Sequence, residues 1–342
     1  SSHFSDFRVF FRAKLEKIFI VPADTFDNVK GKFPIAFYIW NLDESEAFDK
    51  TIADIYNKQG DFTGTKELIS YDKFDYFSTW VNSFKLKAGF FLAWMQGVTR
   101  NDFQNQNGIT IRNLKEQIAV PRGINIYKEN LIESCVCYAV RMSIDANWLN
   151  DRDQFVVPNE LWRTDREFQN NCFTFTIFSN EIQSKFGINN WIPFTEQEIN
   201  AREKFASNFM TNFINGKLKI EEPSENTLFE NENSGGIYDN QPRQFSEEAT
   251  AVFDAGRALW KYYHSQKFPS SGGVSEGRGG YNVNASLYDI REYFQGRNEK
   301  GRMNSRSEDE TYTELLSDLR SNLKILADVI KPKIYEYGFL KE

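Results

Sequence analysis

Two apolar segments near the N-terminus constrain the fold of this chain more than any other feature. Residues 18–21 (IFIV) end at Pro22, and residues 33–40 (FPIAFYIW) follow a polar turn at residues 27–32. Both have the length of β-strands, and the second is apolar on both faces, which is typical of a central strand covered by helices. Apolar side chains three and four apart predict a helix at residues 4–16. We expect the helix and strands to close an α/β sheet whose first strands are not in this chain.

The composition excludes several classes of protein. Hydrophobic residues make up 40% and charged residues 26% of the 342 residues, which predicts a folded chain. No apolar run approaches the roughly 18 residues that a membrane helix needs, and the N-terminus has no signal-peptide pattern. Three cysteines and two histidines offer little material for a zinc site or a Ser/His/Asp triad, and they favour a reducing, cytoplasmic location. A net charge of −7 argues against nucleic-acid binding outside a local basic patch.

The rest of the chain predicts short strands followed by helices. This mixture favours an α+β or α/β protein with a largely helical region after the first strands. The patterns predict a hairpin at residues 52–66, strands at 87–95 and 173–178, and helices at 127–143, 195–216, 246–264 and 310–330. Shifts in composition divide the chain into residues 1–45, a mixed region at 46–220, a polar linker at 221–245 and a helical region at 246–342.

Two polar segments are candidates for contact with nucleic acid. Residues 291–306 carry five basic side chains, and arginine suits bidentate contact with phosphate or guanine. Residues 100–107 are rich in amide groups, which can pair with base edges. The candidate contacts are Arg297, Lys300 and Arg302, followed by Arg100, Asn101, Gln104 and Asn105. The alternative for both segments is an ordinary solvated loop. Arg152 is a weaker candidate because the flanking Asp151 and Asp153 predict an internal ion pair.

The sequence FIVPADTFDNVKGKFPIAFYIWNL at residues 19–42 resembles the last strands of the catalytic domain in N6-adenine DNA methyltransferases of restriction–modification systems. The resemblance continues through NLIESCVCYAVR (130–141), WLNDRDQF (148–155), NNWIPFTEQEINAREKF (189–205), FSEEATAVFDAGRALWKYYH (245–264) and SLYDIREYFQGRNEKGRMN (286–304). It implies a Rossmann-like catalytic sheet that ends within residues 1–45, followed by a mixed target-recognition region. It also implies double-stranded DNA as a partner, together with an N-terminal catalytic segment or a restriction subunit.

The chain departs from this family in its catalytic motifs. No two prolines are adjacent, so the tetrapeptide [D/N/S]-P-P-[Y/F/W] that holds the flipped adenine is absent, as is the glycine-rich turn that holds S-adenosylmethionine. Both motifs precede these strands in the family, so the resemblance implies the C-terminal part of an enzyme whose cofactor is bound mainly by residues outside this chain. By position, Phe26 is the candidate for stacking on the extruded base, and Phe33 is the second choice. The alternative for Phe26 is a core residue at a strand edge.

Two other functions remain open on the sequence. The apolar stripes at residues 249–263 and 312–330 would dock a partner subunit if the chain were a noncatalytic interaction protein. The aromatic content of 16% is also compatible with a ligand-binding protein, for instance for carbohydrate. Salt-dependent binding to duplex DNA would separate the methyltransferase hypothesis from both.

Overall fold

The structure, a computed structural model, has a mixed α+β architecture with two small sheets and several helices. It describes residues 11–46, 49–70, 74–113, 123–218, 241–267 and 281–341. The strands are β1 (Lys14–Pro22), β2 (Pro34–Asn41), β3 (Lys50–Tyr56), β4 (Phe62–Ile69), β5 (Phe91–Gln96), β6 (Thr110–Arg112) and β7 (Gly123–Tyr127). The helices are α1 (Phe77–Ser83), α2 (Leu131–Met142), α3 (Arg166–Ile177), α4 (Phe209–Ile214), α5 (Glu247–Ser265), α6 (Leu287–Gln295) and α7 (Glu310–Glu336). Short 3₁₀ helices lie at Ala23–Thr25, Phe103–Gly108, Lys128–Asn130, Glu160–Arg163 and Ser184–Phe186.

The first sheet contains both N-terminal strands that the sequence predicted. β1 and β2 form an antiparallel hairpin, β1 pairs in parallel with β3, and β3 forms the predicted second hairpin with β4. The strand order is β2-β1-β3-β4, so the sheet combines strands from both sides of residue 45. The predicted helix at residues 4–16 is wrong from Lys14 onwards, because these residues pair with β2, and cross-strand pairing outweighs the helical spacing. Residues 1–10 lie outside the described part of the chain.

β2 lies at an edge of this sheet in the described chain, whereas the sequence predicted a central strand. Its only strand neighbour in the described part of the chain is β1. β2 begins at Pro34, which lies opposite Pro22 at the end of the hairpin. A proline has no N–H to donate, and it is therefore found on edge strands and at strand ends. This proline was the signal in the sequence that favoured an edge position.

The two faces of the first sheet are not equally covered. On one face, Ile18, Ile20, Ala53 and Ile55 form a small core, and Trp148 and Leu149 pack against it. Side chains alternate along a strand, so Phe19 on β1 and its partner Phe37 on β2 lie on the opposite face. That second face carries the aromatic groups described below.

The second sheet and the helices surround a much larger core. The sheet has the order β6-β5-β7, and α2 is buried along nearly its whole length, as predicted for residues 127–143. Burial raises the pKa of the Cys135 and Cys137 thiols to about 12, and Cys172 on α3 is buried as well. The cysteines therefore act as small apolar packing groups, not as nucleophiles.

The predicted strand at residues 173–178 is wrong, because most of it belongs to α3. Asp165 caps this helix by accepting a hydrogen bond from the Phe168 backbone N–H at 2.9 Å. The hydroxyl groups of Thr174 and Thr176 donate to carbonyls one turn earlier, which satisfies both groups inside the core. A helix that is buried all round shows no helical periodicity, so its alternating Phe and Thr mimicked a strand.

Two predicted helix boundaries also differ from the structure. Thr195 and Glu198 form the predicted capping contacts, with the Thr195 N–H 2.8 Å from the carboxylate, yet no α-helix follows until Phe209. Asn200 has a φ of 55°, which breaks a helix at that point. α7 continues past Pro332 to Glu336, although the proline was predicted to end it. Ile334 and Tyr337 are buried beyond the proline, and this packing stabilises the last turn.

The two long C-terminal helices pack their apolar stripes into the core of the chain itself. Ser246 caps α5 as predicted, its hydroxyl accepting from the Ala249 N–H at 3.1 Å. α5 and α7 contact each other, and most of both predicted stripes is buried. The faces that the sequence offered for docking a partner subunit are therefore occupied internally. None of the helices in the described ranges is long and apolar enough to cross a bilayer.

His264, near the end of α5, is a buried imidazole that stays neutral in the folded chain. Its Nδ1 lies 3.1 Å from the Tyr281 hydroxyl, and no hydrogen bond to Nε2 is present among the described residues. Burial, together with the charge of Arg202, lowers the pKa of His264 to about 4. An exposed histidine in the unfolded chain titrates near 6.5, so the unfolded state takes up a proton first as the pH falls. The contribution of His264 to the unfolding free energy is therefore complete above pH 6.5, and it is lost as the pH falls from 6.5 to 4.

Between pH 7.5 and 5.0, we expect the unfolding free energy of the wild-type protein to fall by about 2 kcal/mol more than that of His264→Gln. The glutamine does not titrate, so carboxylate effects common to both proteins cancel in the comparison. Urea denaturation at the two pH values measures the difference. Tyr281→Phe serves as a control, because it removes the hydroxyl and retains the titrating imidazole. Parallel pH dependences for wild type and His264→Gln would contradict the expected burial of the neutral ring.

Candidate nucleic-acid interface

The loop between β1 and β2 presents Phe26 to solvent. The Phe26 N–H donates to the Ala23 carbonyl at 3.2 Å, and the Val29 N–H donates to the Phe26 carbonyl at 3.3 Å. Asn28 completes the turn with a φ of 66°, a conformation that asparagine tolerates better than most residues. Phe26 is 41% exposed, so the alternative of a core phenylalanine is wrong.

Phe33, the second candidate for base stacking, closes the same loop. Its carbonyl accepts from the Ala23 N–H at 2.9 Å, and its ring lies over Gly31, where an added Cβ would come within 2.4 Å of the ring. Phe33 is half-buried, and these contacts hold the loop together. Of the two candidates, Phe26 is the one whose ring is open to a ligand.

Phe26 begins a series of ring contacts that crosses the uncovered face of the first sheet. Its ring centroid is 6.0 Å from that of Phe37, which stacks on Phe19 at 5.0 Å. Phe19 contacts Tyr56 edge-on at 6.4 Å, and Tyr56 contacts Phe62 at 5.8 Å. We call Phe26, Phe37, Phe19, Tyr56 and Phe62 the aromatic row. Apart from Phe26, no member of the row was a candidate on the sequence, because the other four rings lie on four different strands and come together only in the folded sheet.

The outer edge of β2 is exposed and carries no charge. Its sequence is PIAFYIWN, and Tyr38 and Ile39 are 53% and 50% exposed on opposite faces. The other edge strand, β4, carries Lys66 and Glu67. Proteins usually protect edge strands with charges, prolines or covering segments, because an open edge pairs readily with another strand. After Pro34, β2 has none of these protections within the described chain.

The amide-rich segment forms a hydrogen-bonded surface around the 3₁₀ helix at Phe103–Gly108. Two side-chain contacts lie within it, since Arg100 Nη1 donates to Asn105 Oδ1 at 2.6 Å and the Asn105 amide donates to Asp102. Two more reach residues 152–154, since Arg152 Nη1 donates to Gln104 Oε1 at 2.7 Å and Asn101 Nδ2 donates to Gln154 Oε1 at 3.3 Å. The four candidates Arg100, Asn101, Gln104 and Asn105 thus lie in one network, in which Arg100 and Gln104 remain exposed. Such a network fixes the orientation of the side chains before any ligand binds.

Arg152 makes the internal ion pair that its sequence context predicted. Its Nε lies 3.5 Å from a carboxylate oxygen of Asp151. Asp153 pairs instead with Lys66 of β4, whose Nζ lies 2.7 Å from the carboxylate and 2.8 Å from the Leu149 carbonyl. Burial raises the pKa of Asp153, and Lys66 partly opposes the rise. Residues 149–154 therefore connect the first sheet with the amide-rich segment.

Arg141 holds the backbone of the amide-rich segment by hydrogen bonds from the core. This arginine of α2 is fully buried, and its guanidinium donates to the backbone carbonyls of Arg100 and Asp102. It also lies over the rings of Phe155 and Phe77, at 5.1 and 5.8 Å from their centroids. Burial lowers the pKa of Arg141 to about 10, which still leaves it charged at neutral pH. The sequence signal for Arg141 was a lone arginine within an otherwise apolar helical run.

The basic segment forms a tight turn after α6, and its three candidates differ in their contacts. Asn298 Oδ1 accepts from the backbone N–H groups of Lys300 and Arg302, each at 3.0 Å. Gly301 has a φ of 70° at the centre of the turn, a conformation that favours glycine. Arg297 Nε lies 2.6 Å from Glu292, and its Nη1 lies 2.6 Å from the Gly301 carbonyl. The side chains of Lys300 and Arg302 are exposed, and no polar partner is present for them in the described stretches.

The candidate residues therefore form two separate groups with different chemistry. The first comprises the exposed Phe26 ring and the amide-rich surface, which the first sheet and residues 149–154 connect. The second comprises the two unpaired cations of the basic turn, suited to phosphate. No group of histidine, cysteine and carboxylate side chains that could bind a metal ion is found among the described residues. The chain matches no protein-family model, no curated protein and no solved structure.

Proposed function

We propose that this chain is part of an N6-adenine-specific DNA methyltransferase of a restriction–modification system. In this proposal, β1 and β2 are the closing part of a Rossmann-like catalytic sheet, and the remaining chain binds double-stranded DNA at its target site. The observation that carries the proposal is the uncharged, aromatic outer edge of β2 beside the exposed ring of Phe26.

The open edge supports an additional strand from an N-terminal catalytic segment. A strand that is apolar on both faces is suited to the interior of a sheet, yet β2 has one neighbour in the described chain. Pairing with a further strand would satisfy its outer N–H and C=O groups and would bury Tyr38 and Ile39. The resemblance at residues 19–42 indicates where such a strand would come from, because the family's cofactor and catalytic motifs precede these strands.

The cofactor of the complete enzyme would be S-adenosylmethionine, which supplies the methyl group. Among the described strands, none leads through a glycine-rich turn into a helix. We therefore assign no cofactor-binding residue to this chain. Its own contribution is to hold DNA and to stack Phe26 on the extruded adenine, a contact worth about 1–3 kcal/mol per base.

We expect Lys300→Ala/Arg302→Ala to weaken binding to duplex DNA and to reduce the salt slope of log K by about 2, since each lost phosphate contact contributes about 0.9. Fluorescence anisotropy over a range of salt concentrations measures both quantities. Lys85→Ala/Lys204→Ala is the matched control, because it removes the same charge from exposed positions outside the candidate interface. An unchanged salt slope in Lys300→Ala/Arg302→Ala would show that the basic turn does not contact DNA phosphates. A chain that does not bind duplex DNA at all would refute the DNA-binding role.

A further inference from the structure

The hydrogen bonds within the basic turn, residues 296–304, hold its three basic residues in different ways. Its ends are joined by the Asn304 N–H, which donates to the Gly296 carbonyl at 3.0 Å. The Asn298 N–H donates to the Arg302 carbonyl at 2.8 Å, and the Gly301 N–H donates back to the Asn298 carbonyl at 2.8 Å. These contacts make the segment a preformed hairpin rather than a solvated loop.

Arg297 is directed into this hairpin. One guanidinium contact reaches back to Glu292 on α6, and another reaches across the turn to the Gly301 carbonyl. Nη2 lies a further 3.4 Å from the Tyr288 hydroxyl, also on α6. The hydrogen bond to Glu292 raises the pKa of Arg297 above its ordinary value, so the guanidinium is charged at neutral pH. A guanidinium with these partners has few donors left for a phosphate.

Lys300 and Arg302 have the opposite arrangement. Their backbone groups are fixed by Asn298 and their side chains extend into solvent. Fixing the backbone removes part of the entropy cost of placing the two cations on a ligand.

We propose that Arg297 is a positioning residue that locks the basic hairpin to α6, and that Lys300 and Arg302 make the contacts with DNA phosphates. The inference rests on the proposed function for its ligand, duplex DNA, and on the hydrogen bonds of Arg297 for the division of roles. It differs from the expectation based on sequence, in which all three side chains would contact DNA.

Limited trypsin digestion tests the positioning role without DNA. Trypsin cleaves after Lys300 and Arg302, and both bonds lie within the hairpin, so cleavage there requires local opening. We expect Arg297→Leu to be cleaved at these bonds at least about tenfold faster than wild type, because two charge-assisted hydrogen bonds are lost. Glu292→Gln should accelerate cleavage less, because Arg297 retains the Gly301 carbonyl. Arg306→Leu is the control, since it removes an exposed arginine of the same segment and should leave both rates unchanged. A wild-type rate in Arg297→Leu would overturn the inference.

Duplex binding then distinguishes positioning from direct contact. If Arg297 acts only through the hairpin, removing it should matter little once Lys300 and Arg302 are gone, because residues that act through one another are not additive. The affinity of Arg297→Leu/Lys300→Ala/Arg302→Ala for duplex DNA should therefore lie within about twofold of that of Lys300→Ala/Arg302→Ala. A further drop of about tenfold, with a salt slope lower by about another 0.9, would show that Arg297 contacts phosphate itself and would overturn the inference. If Lys300→Ala/Arg302→Ala leaves binding unchanged, the proposed function fails at this surface, and the trypsin rates still decide whether Arg297 orders the hairpin.

Discussion

Arg141→Met is expected to lower the free energy of unfolding by about 3 kcal/mol, a large effect for one side chain. Methionine fills much of the same volume, but it leaves the partly buried carbonyls of Arg100 and Asp102 without the donors of Arg141. It also removes the stacking of the guanidinium on the Phe155 ring. Against these losses stands the relief of a buried charge, which is why the expected value is below the sum of the lost contacts. Equilibrium urea denaturation measures the change.

Two further variants identify the cause of the Arg141 effect. Arg141→Lys keeps a charge but has one compact head group that cannot reach both carbonyls in the same geometry, so it should recover only part of the loss. Arg112→Met is the control, because the side chains of Arg112 and its ion-pair partner Glu181 are each 40% exposed, and such pairs contribute about 1 kcal/mol or less. Equal stability of Arg141→Met and wild type would mean that burying the guanidinium costs as much as its contacts contribute.

If the proposed function holds, Phe26→Ala is expected to reduce adenine methylation by the complete methyltransferase by roughly 5- to 150-fold, the equivalent of about 1–3 kcal/mol of base stacking. The ring is exposed at the end of the first hairpin and rests on Phe37, so its removal eliminates a stacking surface without opening a cavity in the core. A duplex with 2-aminopurine at the target adenine reports extrusion directly through its fluorescence.

The aromatic row supplies the matched control for Phe26. Phe62 is 57% exposed at the opposite end of the row, so Phe62→Ala removes a comparable ring from the same sheet face. It should leave both the fluorescence signal and the methylation rate close to wild type, and Phe26→Trp should retain most of both. An undiminished 2-aminopurine signal in Phe26→Ala would refute the stacking role.

The elements that could be predicted from sequence are those whose signals are local. Ser246 predicted the start of α5 because a serine cap acts on the first N–H groups of the helix that follows it. The strands at residues 18–21 and 33–40 and the hairpin at 52–66 followed from apolar runs around polar turns. α3 could not be predicted, because its surroundings bury every side of it and remove the periodicity that marks a helix. α7 crosses Pro332 for a similar reason, since distant packing of Ile334 outweighs a local rule.

The candidate site shows the same limit. Sequence proposed Phe26 and both polar segments as candidates, because their residue types carry the chemistry, but it left open whether Phe26 was exposed. It could not separate Arg297 from Lys300 and Arg302, since adjacent cations look alike until the hairpin shows which one is directed inward. Arg141 was missed because its partners are backbone carbonyls about 40 positions away in the sequence, and a lone arginine in an apolar run does not indicate what it contacts.

The small core beneath the first hairpin depends on a loop that lies outside the first sheet. Its four buried residues, Ile18, Ile20, Ala53 and Ile55, are too few to hold a sheet together alone, so the sheet's order depends on Trp148 and Leu149 packing against it. The loop carrying those two residues runs directly into Arg152, which holds Gln104. One loop, residues 148–154, therefore contacts both the first sheet and the amide-rich surface, so a change in the packing of Trp148 bears on the order of both.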